Sequence, residues 1–170
     1  RALGFSAEKE DIDLKIVNAT QRVNYYQIES FFNRIVDRYN GDLKDKHFAV
    51  WGLAFKPNTD DTREAPAFRL IELLLDKGAK ITAYDPEAME NTRKKFGETI
   101  NYAKEMYNCT DGKDALLIVT EWNVFRNPDL EKVAELLKEK IIFDGRNIFE
   151  LNEMQERGFE YYSVGRKIIK

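Results

Sequence analysis

An α/β fold with a mostly parallel sheet is the fold class that the sequence predicts. Short apolar segments alternate with amphipathic helical segments after residue 42, an order typical of strands joined by helical crossovers. The apolar segments are nearly continuous, as in strands that are covered on both faces. Apolar residues before residue 40 instead recur at helical spacing. We therefore expect a Rossmann-like, doubly wound sheet domain at residues 43–170, preceded by one long helix within residues 1–42.

The predicted long helix covers residues 8–39 and ends at Asn40–Gly41, a helix stop signal. At 1.5 Å per residue, about 30 residues extend roughly 45 Å, well beyond an average helix. We expect a helix of this length to bridge to a structure outside its own domain or to dimerise. The alternative is a helix that is bound to the core along its whole length.

Five strands and three helices are predicted after the long helix. Apolar runs predict strands at residues 47–51, 80–84, 115–120, 140–143 and 159–164. Helical spacing predicts helices at residues 65–77, 86–96 and 129–138. An acidic run, Asp60–Asp61, precedes the first of these helices and is expected to cap it.

Composition and charge exclude several classes of protein. With 43% apolar and 12% aromatic residues, the 170-residue chain can bury a sizeable core. Twenty-seven basic and thirty acidic residues give a net charge of -3, which argues against a general nucleic-acid binder. A single cysteine rules out an intramolecular disulfide framework, and no apolar segment reaches the length of a membrane span. These features favour a cytoplasmic protein, and the start at Arg1 suggests a piece of a longer chain.

Ligands of open α/β sheets bind beyond the carboxyl ends of the strands, so the residues that follow each strand are candidates for a binding site. Gly52 follows the first strand alone, where a dinucleotide fingerprint needs three glycines. We therefore do not expect the backbone to cradle a pyrophosphate, and cationic side chains would have to hold an anionic ligand. Three cations are candidates: Lys56, Arg63 and Arg146.

Each cation has a functional and a structural interpretation. Lys56 precedes Pro57, whose ring restricts the lysine backbone and can aim the ammonium group; otherwise Lys56 is a solvated loop residue. Arg63 lies near a predicted helix start, where the helix dipole disfavours cations, so it either holds a ligand or pairs with the nearby aspartates. Arg146 follows a strand through Asp144–Gly145, where an anion contact and a surface turn are equally compatible with the sequence.

The remaining polar candidates are weaker. Asp85 ends the second strand, where an acid can bind a ribose, although Asp-Pro is also an ordinary turn. His47 is the only histidine and lies at a strand entrance, away from the ligand end. Cys109 is the only thiol and has no neighbouring cation or histidine to lower its pKa. The sequence therefore offers no catalytic residue and no cluster of His and Cys ligands for a metal.

Residues 52–66, GLAFKPNTDDTREAP, resemble the hallmark segment of the nucleotide-sugar dehydrogenases. Within this segment, residues 55–59 are more similar to the UDP-glucose branch of that family than to its other branches. Four further pieces agree in order and spacing: Val23–Asn24 with Gln27, Tyr84–Pro86, Thr120–Trp122 and Phe143–Arg146. The resemblance covers essentially the whole chain and corresponds to the central helix and UDP-binding domain of that family. It implies that the NAD-binding domain lies outside this sequence.

The resemblance implies a role for each matching residue. Phe55, Lys56 and Arg146 would contact the UDP-sugar, and Arg63 would contact NAD that is held by the absent domain. The long helix would be the interdomain and homodimer element. The family oxidises the C6 alcohol of its sugar to a carboxylate in two NAD-dependent steps through a cysteine thioester. Cys109 does not match the motif that carries this cysteine, so we expect the chain to be inactive alone.

Two alternatives stay open from the sequence. The parent could act on another nucleotide sugar, such as UDP-N-acetylmannosamine or GDP-mannose. The chain could instead be a freestanding UDP-binding or scaffold module without a catalytic half. A flavodoxin-like signalling domain is disfavoured because no acidic phosphorylation cluster follows a first strand.

Overall fold

A six-stranded sheet forms the centre of the chain in a computed structural model that describes residues 14–170. Its strands are β1 (His47–Trp51), β2 (Lys80–Tyr84), β3 (Asn101–Tyr102), β4 (Ala115–Ile118), β5 (Ile141–Asp144) and β6 (Glu160–Ser163). Neighbouring strands pair in parallel in the order β3-β2-β1-β4-β5-β6. This order, which reverses between β1 and β4, is that of the doubly wound Rossmann-like fold and confirms the predicted fold class.

Seven α-helices precede or flank the sheet within the described residues. They are α1 (Lys15–Arg38), α2 (Pro66–Asp76), α3 (Met89–Phe96), α4 (Met106–Thr110), α5 (Asn123–Arg126), α6 (Leu130–Leu136) and α7 (Leu151–Glu156). The helix α1 packs on α2, whereas α4 packs on α6 and against β1 and β2. Because parallel crossovers are right-handed, winding in two directions from the centre places connecting helices on opposite faces of the sheet.

The strands at the centre of the sheet are almost entirely buried. Every residue of β4 and β5 is buried, as is every residue of β1 after His47. Trp51 stacks on Phe125 with ring centroids 5.1 Å apart, and its indole N–H donates to the carbonyl oxygen of Met106 at 3.0 Å. The continuous apolar runs in the sequence therefore reflect strands that are covered on both faces.

The observed elements differ from the predicted ones mainly where an element is short. The sequence does not predict β3, α4, α5 or α7, because segments of two to six residues are too short to show a hydrophobic period. The second predicted helix begins at Met89 rather than at residue 86. The expected acidic cap of α2 is wrong: Ala65 is the N-cap residue, no side chain caps the helix, and Asp60–Asp61 lie in the preceding loop.

The carboxy-terminal half of α1 is the part that is held on the sheet domain. The residues that are buried there are Phe31, Phe32 and Ile35. Arg38 donates from Nε to both carboxylate oxygens of Glu160 at 2.8 Å, which fixes this end of the helix to β6. Three apolar residues of the other half are largely exposed: Ile16 (84%), Tyr26 (66%) and Val23 (55%). That this half bridges to a structure outside its own domain stays a prediction, and the predicted part of the helix before residue 14 lies outside the described residues.

Neither a membrane span nor a metal cluster occurs between residues 14 and 170. No helix in this range combines the length and the apolar content that crossing a bilayer requires. No three side chains of His, Cys, Asp or Glu in this range are grouped so that they could hold a metal ion.

Candidate ligand-binding site

A cleft of about 760 Å³ opens where the carboxyl edge of the sheet meets one face of α1. Residues that follow the strand ends line one side: Phe55, Val119, Gly145, Arg146 and Val164. The helix α1 lines the other side with apolar residues and with the polar side chains of Thr20, Gln21, Asn24 and Gln27. The cleft lies at the reversal of strand order between β1 and β4, the position at which doubly wound folds bind ligands.

Gly52 allows the loops that follow β1 and β4 to run side by side. Its φ is +93°, and a Cβ built on it would lie 2.5 Å from the backbone nitrogen of Thr120. The Thr120 hydroxyl donates to the carbonyl oxygen of Ala54 at 2.6 Å, which ties the loop after β1 to the loop after β4. The lone glycine of this segment therefore serves the close approach of two loops, which only a residue without a side chain permits.

The buried carboxylate of Asp85 holds the loop that presents Phe55. Its Oδ2 accepts hydrogen bonds from the backbone N–H groups of Leu53 at 2.7 Å and Ala54 at 3.1 Å. The same oxygen accepts from the indole N–H of Trp122 at 3.0 Å, and Oδ1 accepts from two backbone N–H groups in the turn before α3. Five donors thus surround a carboxylate that is 1% exposed, which favours the turn-forming interpretation over ribose binding.

Arg146 is held both at its backbone and at its side chain. The buried Asp144 accepts hydrogen bonds from the N–H groups of Arg146 and Ile148, each at 2.8 Å, and from the Tyr161 hydroxyl at 2.6 Å. The Arg146 Nε donates to Oε2 of Glu121, which follows β4. Desolvation acts to raise the pKa of Glu121, but the hydrogen bond and charge of Arg146 contribute to a net pKa below its ordinary value. Among residues 14–170, Arg146 is the only cation that lines the cleft.

The helix α1 lines the cleft as well, although the residues that follow the strands do not predict this contribution. Thr20, Asn24, Gln27 and Phe31 all line the cleft and recur at the spacing of one helical face. Asn24 and Gln27 belong to the family-like pieces of the sequence, but no role is predicted for them. The signal that could have identified them is a set of amide and hydroxyl side chains within an apolar stripe of the long helix.

Two predicted site residues do not line the cleft. Lys56 is exposed and lies outside the lining, although it neighbours Phe55 in the chain. Arg63 donates to the Asp61 carboxylate from Nε at 2.9 Å and from Nη2 at 2.8 Å, and its side chain is 87% exposed. These hydrogen bonds lower the pKa of Asp61 to about 2. The structure thus brings Phe55 and Arg146 together, whereas the ligand roles of Lys56 and Arg63 stay predictions.

Neither the thiol nor the imidazole of the chain lines the cleft. Cys109 is fully buried, and its Sγ donates to the carbonyl oxygen of Thr82 at 3.1 Å. Burial raises the pKa of the Cys109 thiol to about 12, so the thiol is not a nucleophile at neutral pH. His47 bonds through Nε2 to the Thr82 hydroxyl at 2.8 Å. Both residues have structural contacts at a distance from the candidate site.

The chain matches one family model and is similar to several known proteins. The model of the UDP-glucose/GDP-mannose dehydrogenase family, UDP binding domain, matches residues 49–151. A UDP-glucose 6-dehydrogenase of Rhizobium meliloti (strain 1021) is 39% identical over 165 residues, which cover 97% of this chain and 38% of that protein. The structure of a UDP-glucose dehydrogenase from the hyperthermophilic archaeon Pyrobaculum islandicum matches with a TM-score of 0.78 and 30% identity, over 95% of this chain and 34% of that one.

A second solved structure shares the fold at lower identity. It is that of a UDP-D-ManNAc dehydrogenase from Pyrococcus horikoshii, with a TM-score of 0.73 and 24% identity over 94% of this chain and 36% of that one. The chain therefore spans a little more than a third of the length of these relatives.

Proposed function

The chain belongs to the UDP-glucose/GDP-mannose dehydrogenase family, and from this premise we propose that it is the UDP-sugar-binding part of an NAD-dependent UDP-glucose 6-dehydrogenase. The parent enzyme would convert UDP-glucose, two NAD+ and water to UDP-glucuronate and two NADH. The observation that carries the proposal is the meeting of Phe55 and Arg146 in one cleft at the carboxyl edge of the sheet.

The side chains of the cleft suit the different parts of a UDP-sugar. Phe55 is 51% exposed and offers a ring face against which a base or a sugar can pack. The Arg146 guanidinium can make charge-assisted hydrogen bonds to a diphosphate. The amides of Asn24 and Gln27 can both donate to and accept from hydroxyl groups or a uracil edge. A nucleoside diphosphate sugar needs these three kinds of contact together.

We propose further roles for the two cations outside the cleft. Lys56 would add charge to the substrate site once its exposed side chain turns towards the cleft. Arg63 lies in a surface depression separate from the cleft, which Lys94, Lys95, Asp60 and Asp61 also line, so it would contact a different ligand. That ligand would be NAD, held mainly by a domain that this sequence does not include.

Removing the Arg146 side chain is the direct test of the UDP site. We expect the 170-residue chain to bind UDP weakly and the Arg146→Ala variant to bind it at least about tenfold more weakly, because a hydrogen bond to a charged group contributes about 1.5 to 3 kcal/mol. Isothermal titration calorimetry with UDP measures both affinities.

Arg157→Ala is the matched control for this test. The Arg157 side chain is 39% exposed, as is that of Arg146, and it also pairs with carboxylates, those of Glu131 and Glu153. It lies outside the cleft, so its removal should leave UDP binding unchanged. The proposed function fails if the wild-type chain does not bind UDP, or if the Arg146 variant binds it as tightly as the Arg157 variant.

The fold does not distinguish the alternative substrates, because the UDP-D-ManNAc dehydrogenase structure shares it. The affinities for different ligands can distinguish them. Comparing UDP, GDP, UDP-glucose and UDP-N-acetylmannosamine in the same titration addresses the base and the sugar separately. Tighter binding of GDP than of UDP would favour the GDP-mannose branch. A freestanding binding module would bind UDP and would have no catalytic partner domain in its native product.

We propose that the chain alone does not oxidise UDP-glucose. Its one cysteine is buried with a raised pKa, and its one histidine does not line the cleft. We therefore expect no NADH when the purified chain is mixed with UDP-glucose and NAD+, as followed by absorbance. Turnover that exceeds the buffer blank would contradict the proposal, and the same assay on Cys109→Ser would show whether the thiol is responsible.

The remaining proposals concern assembly and location. The exposed apolar residues Val23 and Tyr26, which lie on α1 outside the cleft, support a homodimer that forms through the long helix. A cytoplasmic location would suit both the NAD chemistry and the free thiol of Cys109.

A further inference from the structure

We propose that Glu121 is a positioning residue that orients the Arg146 guanidinium for the anionic part of the ligand, an inference that rests on the proposed function. Glu121 follows β4 and Arg146 follows β5, and these strands pair in parallel up to Ile118 and Asp144. The carboxylate and the guanidinium therefore leave adjacent strands at the same edge of the sheet. They form an ion pair through Nε of Arg146 and Oε2 of Glu121.

The geometry of this ion pair leaves most of the guanidinium available. A guanidinium carries five N–H donors, one on Nε and four on the two terminal nitrogens. Glu121 takes the Nε donor, and the Arg146 side chain has no other hydrogen bond or ion pair within residues 14–170. Arg146 lines the cleft and Glu121 does not. The carboxylate thus holds the arginine at Nε, and no group among the described residues 14–170 occupies its terminal amino groups, which can bind a phosphate.

Glu121 is itself supported on both sides in the chain. Thr120 before it donates to the carbonyl oxygen of Ala54, and Trp122 after it donates to the buried Asp85. The Glu121 side chain is 23% exposed, less than the 39% of Arg146. A carboxylate on such a support can restrict the rotamers of a long arginine, which then loses less freedom when a ligand binds.

A competing role for Glu121 predicts the opposite effect. A carboxylate beside a guanidinium can also repel an anionic ligand or occupy its place, in which case removing the carboxylate would strengthen binding. The contact through Nε favours positioning, because an anion can bind the terminal nitrogens while the ion pair persists. The two roles therefore differ in the sign of the change in affinity.

Two substitutions at Glu121 separate the roles. We expect Glu121→Ala to weaken UDP binding by about fivefold, which is about 1 kcal/mol. We expect Glu121→Gln to stay within about twofold of the wild type, because its amide oxygen still accepts from Nε. Glu153→Ala, which breaks the comparable ion pair with Arg157 outside the cleft, is the control and should leave binding unchanged. Calorimetry with UDP measures the affinities, and thermal unfolding verifies that each variant is folded.

A double-mutant cycle shows whether Glu121 acts through Arg146. In the Arg146→Ala background, Glu121→Ala should have no further effect on UDP affinity. An undiminished effect in that background, tighter binding by either Glu121 variant, or failure of Glu121→Gln to rescue affinity would each overturn the inference. Equal binding by the wild type and Glu121→Ala would overturn it while leaving the proposed UDP site intact. Absence of UDP binding by the wild type would overturn both.

Discussion

Replacing Gly52 with alanine is expected to destabilise the chain by about 3 kcal/mol, or to prevent folding altogether. The added Cβ would lie 2.5 Å from the backbone nitrogen and 2.6 Å from the Cβ of Thr120, so the loop after β4 would have to move. Overpacking of this kind costs about 1 to 3 kcal/mol. The φ of +93° adds about 1 to 2 kcal/mol, because a side chain disfavours a left-handed backbone.

The matched control for Gly52 is another glycine with a left-handed backbone but with open space around it. Gly158 has a φ of +71°, and no atom lies within 4 Å of a Cβ built on it. Gly158→Ala should therefore cost only the backbone strain of about 1 to 2 kcal/mol. Urea unfolding followed by tryptophan fluorescence compares the two free energies of unfolding. Equal destabilisation by the two substitutions would show that the contact with Thr120 carries no cost.

Replacing Asp85 with alanine is expected to lower the free energy of unfolding by about 3 kcal/mol or more. The substitution removes the acceptor for four backbone N–H groups and the Trp122 indole, and each buried donor without a partner costs about 1 to 3 kcal/mol. Some of these donors will regain water, so the total stays below their full sum. The free energy of unfolding of Asp85→Asn should lie between those of the wild type and Asp85→Ala. An amide keeps one acceptor oxygen, but its NH2 group would face N–H groups that also donate.

Asp129 provides the control for Asp85, and UDP binding provides a second measurement. Asp129 is an exposed N-cap residue of α6 that accepts one backbone hydrogen bond, from Lys132 at 3.0 Å. Asp129→Ala should cost about 1 kcal/mol in urea unfolding and leave UDP binding unchanged. Asp85→Ala should also weaken UDP binding, because the loop that it releases presents Phe55. Equal stability of the two alanine variants would contradict the role assigned to Asp85.

The strands and the strand-end residues are the parts of the fold that local sequence predicts well. The ranges predicted for β1 and β2 are those observed. β1 is buried from Phe48 to Trp51, and β2 is buried from Ile81 to Ala83 between an exposed Lys80 and a half-buried Tyr84. The predicted third strand runs on to Thr120, whereas β4 ends at Ile118. Val119 and Thr120 are buried as the strand is, but there the chain turns to contact the loop after β1. The apolar run in the sequence therefore predicts which residues are buried, but it does not predict the residue at which the strand ends.

The partners of polar side chains near the site are the feature that local sequence predicts least well. Asp61 looks like part of a helix cap in the sequence, but its carboxylate accepts hydrogen bonds from the Arg63 side chain in the loop before α2. Asp85 is a weak candidate for a ribose contact in the sequence, and its five donors favour the turn that Asp-Pro also predicts. A short polar side chain can satisfy several neighbours, and the choice depends on groups that are distant in sequence.

The sequence by itself determined the fold class, the family resemblance and the position of Phe55 and Arg146 at strand ends, because burial periodicity and short motifs are local properties of a chain. The tertiary structure decided which groups meet. It brought one face of α1 against the strand ends, paired Arg146 with Glu121, directed Arg63 to Asp61 and enclosed Asp85 among its donors. Each of these contacts depends on distances of a few ångströms between groups on different loops, and such distances follow only from the packing of the whole domain.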